Sequence, residues 1–141
     1  MIGTKIRELR KNNKLTLEEL ADALNQKYPN TINFNKGKIS KWENNKEEPR
    51  LSSVKIIADF FNVPLDYFND TPDSHPEILT LCNQLNEEKL KQLILSRYSS
   101  VKYFAEENGM PYSTVRSILE RGIMNANVEN AIKICSALGI R

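Results

Sequence analysis

The chain has 141 residues, a length suited to one ordinary domain or two very small ones. Its 20 Lys and Arg against 18 Asp and Glu leave a formal net charge of +2, too small to name a partner by itself. No apolar run is long enough to span a membrane, and one histidine with two cysteines outside any C-x-x-C pattern supplies no metal-ligand set, so membrane-spanning and metal-centred classes drop out at once.

The first expected helix runs from Thr4 to Asn13, with Ile6 and Leu9 facing inward and Lys5, Arg7, Arg10 and Lys11 outside. Met1 leads straight into it with no secretory signal, so cytoplasm is the expected location. Thr16 is placed to cap a second helix, with Glu18 and Glu19 in its first turn where the macrodipole favours carboxylates. Leu17, Leu20, Ala21 and Leu24 supply its buried side. From Asn25 to Phe34 the text reads N-Q-K-Y-P-N-T-I-N-F; Pro29 and the asparagines predict irregular chain, although Gln26 to Tyr28 suit a longer second helix equally well. Phe34 to Asn45, F-N-K-G-K-I-S-K-W-E-N-N, then reads as a short helix capped by Asn35. Ile39 and Trp42 form a thin apolar anchor, and Lys36, Lys38, Ser40, Lys41 and Asn44 cover the rest of its circumference. Between Ala23 and Trp42 stand Lys27, Lys36, Lys38 and Lys41 with no carboxylate, so a local positive patch survives in a near-neutral chain. A solvated surface helix would account for that segment alone; its flanks argue for more. A charged turn from Lys46 to Arg50, holding Pro49, leads to a fourth helix on Leu51, Val54, Ile57, Ala58 and Phe61, and Pro64 to Phe68 make a closing turn.

Upstream of I-S-K-W-E-N lies I-x-x-L-R-x-x-x-x-L-T-L-E-E-L-A-x-x-L, from Ile6, and downstream E-E-P-R-L-x-x-V-x-I-I-A-x-F-F-N-V-P-L-D-Y-F, from Glu47. Together they strongly resemble the helix-turn-helix domain of the Cro and phage-repressor family over residues 1 to 68. The resemblance implies that the helix after Phe34 enters the major groove of DNA and meets base edges with its first residues. It carries a candidate DNA-binding set onto Thr16, Asn35, Lys36, Gly37, Lys38, Ser40, Lys41, Asn44, Asn45 and Lys46. Lys36 and Lys41 are expected at base edges, and Lys38, Lys46 and Thr16 toward phosphates. Gly37 costs a helix roughly 1 kcal/mol relative to alanine, a cost explained if the backbone there closes on the groove. The resemblance also pairs Arg10 with Glu43 as a buttress for this helix, lays Lys46 to Arg50 along the DNA backbone, and implies dimers on paired half-sites. The chain departs from the family twice. Leu17 stands where a phosphate-contacting Gln is common, and the turn before Phe34 is long, either a spacer or an arm reaching sugar and phosphate through Lys27 and Asn33.

A Pro-, Asp- and Ser-rich linker follows at 70–76, carrying His75 as a solvated side chain, so the expected domains are 1–69 and 77–141. Cys82 and Cys135 fall on apolar stripes and read as separate core thiols of a reducing compartment. Glu77 to Leu85 and Asn86 to Arg97 are two more helices. From Ser99, S-S-V-K-Y-F-A-E-E-N-G-M-P-Y-S-T-V-R-S-I-L-E-R-G aligns Phe104-Ala105 with Leu20-Ala21, Val115 with Ile39, Ile118 with Trp42, Val128 with Leu51, Ile134 with Ile57 and Leu138 with Phe61. The turn from Glu107 to Pro111 lacks the long insertion and places Gly109 where a left-handed residue is wanted. The chain is thus expected to be an imperfect internal repeat. Ile94 and Leu119 align with Arg10 and Glu43, so both ends of the ionic contact become apolar together. The second reading helix offers Tyr112, Ser113, Thr114, Arg116 and Ser117 as a further candidate DNA-binding set, but with one cation and with Glu106, Glu107 and Glu120 nearby it should neutralise phosphate weakly. A protein-protein surface on the same scaffold is the alternative. The repeat stops at Arg141, where the first half begins its closing turn.

No nucleophile elbow, phosphate loop, H-E-x-x-H or dinucleotide fingerprint is present, so neither an enzyme nor a cofactor is expected. The expectation is an all-α pair of small five-helix-type helix-turn-helix modules acting as a transcriptional regulator on a double-stranded DNA operator, a repressor of phage or mobile-element type. The alternative is an antitoxin-like or anti-repressor regulator that binds a protein partner through 77–141. Ile78, Leu81, Cys82, Leu85, Leu90, Leu93 and Ile94 are the candidate seam of a homodimer, unless the second module uses them internally.

Overall fold

The apolar stripes close into helices throughout. The structure, a computed structural model, describes residues 2–69 and 76–139, and among these it has nine α-helices and no strand. The fold class is all-α, as expected. His75 and most of the expected linker lie outside the described residues. The chain divides into two units, Met1–Thr71 and Pro72–Arg141, each taken by itself below.

In the first unit α1 is Ile2–Asn12, α2 Leu17–Lys27, α3 Lys36–Glu43 and α4 Leu51–Phe61, and a single 3₁₀ turn, Leu65–Phe68, closes it. Thr16 begins α2 with a complete capping box: its side-chain oxygen accepts from the Glu19 N–H, and the Glu19 carboxylate accepts from the Thr16 N–H. The helix runs on to Lys27, so the first part of the long segment is indeed a prolonged α2. α3 packs against both α1 and α2, and the closing turn packs on α4. The core is Ile6, Leu20, Leu24, Phe34, Ile39, Trp42, Leu51, Val54, Ile57 and Phe68, all buried, with Phe34 edge-on to Trp42 at 6.1 Å between ring centres. Three helix ends turn through left-handed non-glycine residues, Lys14, Asn45 and Asn62. At α3 the Asn45 N–H donates to the Trp42 carbonyl and the Lys46 N–H to that of Lys41, the pair of bonds that satisfies the last carbonyls.

The second unit has α5 Ile78–Asn83, α6 Glu87–Arg97, α7 Val101–Glu107, α8 Tyr112–Arg121 and α9 Val128–Ala137, with a 3₁₀ turn at Ile123–Asn125. α8 packs against α6 and α7, and α5 packs on α9. Ser100 caps α7 as Thr16 caps α2, and Gly109 is left-handed at φ 66°. α5 is shorter than the expected 77–85, and its buried residues are Ile78, Leu79 and Cys82, so Leu79 belongs to the core although the helical spacing had pointed to Leu81 and Leu85. The two cysteines are also corrected: they are joined, Cys82 Sγ to Cys135 Sγ, with Cα atoms 6.3 Å apart. Their 53-residue separation hides this in sequence, because only the packing of α5 on α9 brings them together.

Candidate nucleic-acid interface

Asn35 starts α3 in an extended conformation and its side-chain oxygen accepts from the Lys38 N–H at 2.8 Å, satisfying an orphan donor of the first turn. Because Ile39 and Trp42 take the inner side, Lys36, Gly37 and Lys41 are turned to solvent, continuous with exposed Asn35, Asn44, Asn45 and Lys46, while Lys38 and Ser40 are partly covered. Lys36, Lys41 and Lys46 enter no ion pair among the described residues. Lys38 leans back, its Nζ 3.5 Å from the Asn33 carbonyl. A Cβ on Gly37 would meet only the Asn35 side-chain oxygen, at 3.3 Å, so internal packing gives little reason for glycine there. Thr16 is exposed, and its hydroxyl oxygen is already an acceptor in the α2 cap.

The buttress is present and larger than expected. Glu43, 3% exposed, takes two bonds from Arg10, Nε to Oε2 at 2.7 Å and Nη2 to Oε1 at 2.8 Å, while Arg10 Nη1 donates to the Leu15 carbonyl at 2.9 Å. The bonds to Glu43 hold the Arg10 pKa above its ordinary value, against the lowering effect of burial. Arg7 adds a second arm: its Nη2 donates to Asn44 Oδ1 at 2.6 Å, and its Nε lies 3.4 Å from Glu43 Oε1. Gly3 completes a stripe at helical spacing with these arginines. A Cβ there would sit 2.1 Å from the Trp42 carbonyl oxygen and 2.9 Å from that of Glu43, so only glycine lets α1 approach the end of α3 so closely. Sequence reading found Arg10 but missed Gly3 and Arg7, although their spacings of seven and three from Arg10 were visible.

The long turn is pinned at its base. Asn25 donates to the Phe34 carbonyl at 2.7 Å and accepts from the Phe34 N–H at 2.8 Å, which seats Phe34 in the core. Lys27 is folded onto aromatic rings, with Nζ 5.8 Å from the Tyr28 ring centre and 5.7 Å from that of Phe60, which weakens its expected role in a phosphate arm.

In the second unit Tyr112, Ser113 and Arg116 are exposed on α8, with Thr114 and Ser117 partly covered. Arg116 is paired along its own helix with Glu120, at 3.1 Å. Ile94 is buried, whereas Leu119, expected beside it, is only partly covered. Of the candidate dimer seam, Ile78, Cys82, Leu90 and Ile94 are buried inside this unit, leaving Leu81, Leu85 and Leu93 partly exposed. Among the described residues no cluster of His, Cys, Asp and Glu could hold a metal ion, and no helix is long and apolar enough to cross a membrane.

Comparison with known proteins agrees with the geometry of the first unit. The chain is 34% identical over 89 residues to the HTH-type transcriptional activator BcrR of Enterococcus faecalis, an alignment spanning 63% of this chain but 38% of that protein. No solved structure matches it significantly. The family described as helix-turn-helix domain matches residues 3–74, half of the chain, and runs from the second residue of α1 through α4. The chain therefore belongs to the helix-turn-helix domain family, a DNA-binding architecture.

Proposed function

We propose that the chain is a sequence-specific, double-stranded DNA-binding transcription regulator and not an enzyme, with Lys36, Gly37 and Lys41 of α3 at base edges and Lys38, Lys46 and Thr16 toward phosphates. The observation that carries this reading is the exposed pair Lys36 and Lys41 of α3, which enter no ion pair among the described residues, on a helix braced by the Arg10–Glu43 clamp. Repression, as in the phage repressors the sequence resembles, is the sign of regulation we favour; the relative from Enterococcus faecalis is named an activator. A cytoplasmic location and a homodimer on paired half-sites belong to the same proposal, the dimer without Ile78, Cys82, Leu90 and Ile94, which the second unit buries.

The second unit is read as a degenerate copy of the first. In support, α8 packs on α6 and α7 as α3 packs on α1 and α2, and the buried Leu90, Phe104, Val115 and Ile118 align with buried Ile6, Leu20, Ile39 and Trp42. Glu87, aligned with Gly3, has its carboxylate 2.5 Å from where a Cβ on Gly122 would sit, so the side chain at the start of α6 reaches the end of α8. Arg116 bound to Glu120 and exposed Tyr112 favour a protein partner over DNA for this face.

The test is selection of bound duplexes from a random pool by the full chain, followed by titration of the winner. Wild type should enrich one motif, and Lys36→Ala with Lys41→Ala should abolish the enrichment; a pool that stays random with wild type sinks the reading.

A further inference from the structure

Asn44 and Ser40 lie on the outward side of α3, and both were candidates for reading bases directly. Their hydrogen bonds tell a different story for Asn44. Its amide nitrogen donates to the Ser40 carbonyl at 2.9 Å and to Ser40 Oγ at 3.2 Å, and its amide oxygen accepts from Arg7 Nη2 at 2.6 Å. An asparagine has two amide protons, and both are spent. The reverse orientation of the amide would set its NH₂ against the guanidinium and its oxygen against a carbonyl, so Arg7 allows one orientation only. With Oγ accepting from Asn44, the Ser40 hydroxyl keeps its own proton free to point outward as a donor.

We propose that Arg7 is a positioning residue for base selection: through Asn44 it locks Ser40 as a hydrogen-bond donor toward an acceptor on the base edges of the groove. The inference rests on the proposed DNA reading. The relay runs from α1 across the end of α3, since Arg7 Nε also lies 3.4 Å from Glu43 Oε1 in the clamp. Arg7 is 40% exposed at its side chain, so its charge is also within reach of solvent, and a plain phosphate contact is the competing role. The two roles differ in what they do to sequence preference. A phosphate contact lowers affinity for every duplex alike and reduces the salt slope by about one. A donor lock changes preference at one base step, with guanine N7 or O6, adenine N7 or thymine O4 as the acceptors it selects.

The experiment uses the full chain, the enriched duplex with its single-base variants, and a scrambled duplex, each titrated at several salt concentrations. Arg7→Ala, Asn44→Ala and Ser40→Ala should each lose about tenfold of the discrimination at the same step. The Arg7→Ala/Asn44→Ala double variant should lose no more than either alone. Arg7→Lys keeps the charge but not the fork, so it should keep the salt slope and still lose the preference. A uniform loss across all duplexes for Arg7→Ala, or wild-type preference for Arg7→Lys, overturns the proposal. Relaxation of the Asn44 side-chain amide, measured by nitrogen NMR without DNA, separates the two levels. An amide that is rigid in wild type and freed by Arg7→Ala supports the relay, whereas one equally mobile in both overturns it even if duplex binding is sound. A wild type that selects no duplex overturns the DNA reading and base selection by Ser40 with it, and a rigid amide freed by Arg7→Ala would then show the Arg7–Asn44 contact as structural only.

Discussion

Gly3 and Glu43 show how single positions fix α3. A methyl group on Gly3 would occupy the space of the Trp42 carbonyl, so Gly3→Ala must push α1 away from α3. An overpacking cost of about 1–3 kcal/mol is expected, visible as a lower thermal midpoint. Removing Glu43 strands Arg10, whose side chain is 13% exposed, and Glu43→Ala should cost about 3–5 kcal/mol, the usual penalty for breaking a buried pair from one side. Because the Arg10 pKa is raised, the stability it contributes is present below the ordinary guanidinium range and is lost only as pH climbs through that raised value. Through Arg10, then, the difference in stability between wild type and Glu43→Gln should stay constant from about pH 7 to 9; a steady decline over that interval in denaturant titrations would contradict the assignment. Asn45 ends α3 at φ 57°, where glycine is unstrained, so Asn45→Gly should raise stability by roughly 0.5–1 kcal/mol. Its effect on duplex binding can be scored separately.

The turn before α3 is long, yet it is organised by one side chain. Asn25 satisfies both backbone groups of Phe34, and Phe34 in turn meets Trp42 on the inner side of α3. The element therefore couples turn geometry to helix position, which favours a structured spacer over a free arm. Asn25→Ala should leave two partly buried backbone groups unpaired and cost about 1–3 kcal/mol, with faster hydrogen exchange at the Phe34 amide. Unchanged exchange there would mean that the clamp does not hold the turn. The closing elements show a second adaptation. In the first unit the turn after α4 packs on it, whereas in the second α5, which precedes the rest of the unit in sequence, packs on α9. The surface of α9 is covered from the other end of the unit.

Taken as a whole, the molecule divides its charge as it divides its fold. Residues 72–141 carry eight cations against eight carboxylates, so the net +2 belongs to residues 1–71. Long-range attraction of a polyanion thus falls to the first unit. Leu119→Ala in the second should cost about 1–2 kcal/mol, less than a fully buried leucine, because the side chain already meets solvent. It should leave the salt dependence of duplex binding untouched, and a changed salt slope would place that helix on DNA.

The helices and their caps at Thr16 and Asn35 were legible in the residues, because helical periodicity and capping chemistry act over three or four positions and need no fold to be seen; the Arg10–Glu43 pair came only through the family resemblance, and the Ser100 cap only with the structure. The two-faced character of α3 was legible for the same reason: Ile39 and Trp42 leave its cations nowhere but outside. Contacts made across elements were not. Gly3 on the α3 carbonyls, Arg7 on Asn44, Asn25 on Phe34 and Cys82 on Cys135 depend on how closely two helices or a turn approach, and approach is set by the summed packing of the core. Leu79 took a core position that spacing alone had given to Leu81, since which side of a six-residue helix is buried is decided by the partner it packs on. Sequence determined which faces are apolar and which are cationic; tertiary structure decided which polar side chains remain free to meet a ligand, because a hydrogen bond made inside the fold is one no longer offered outside it.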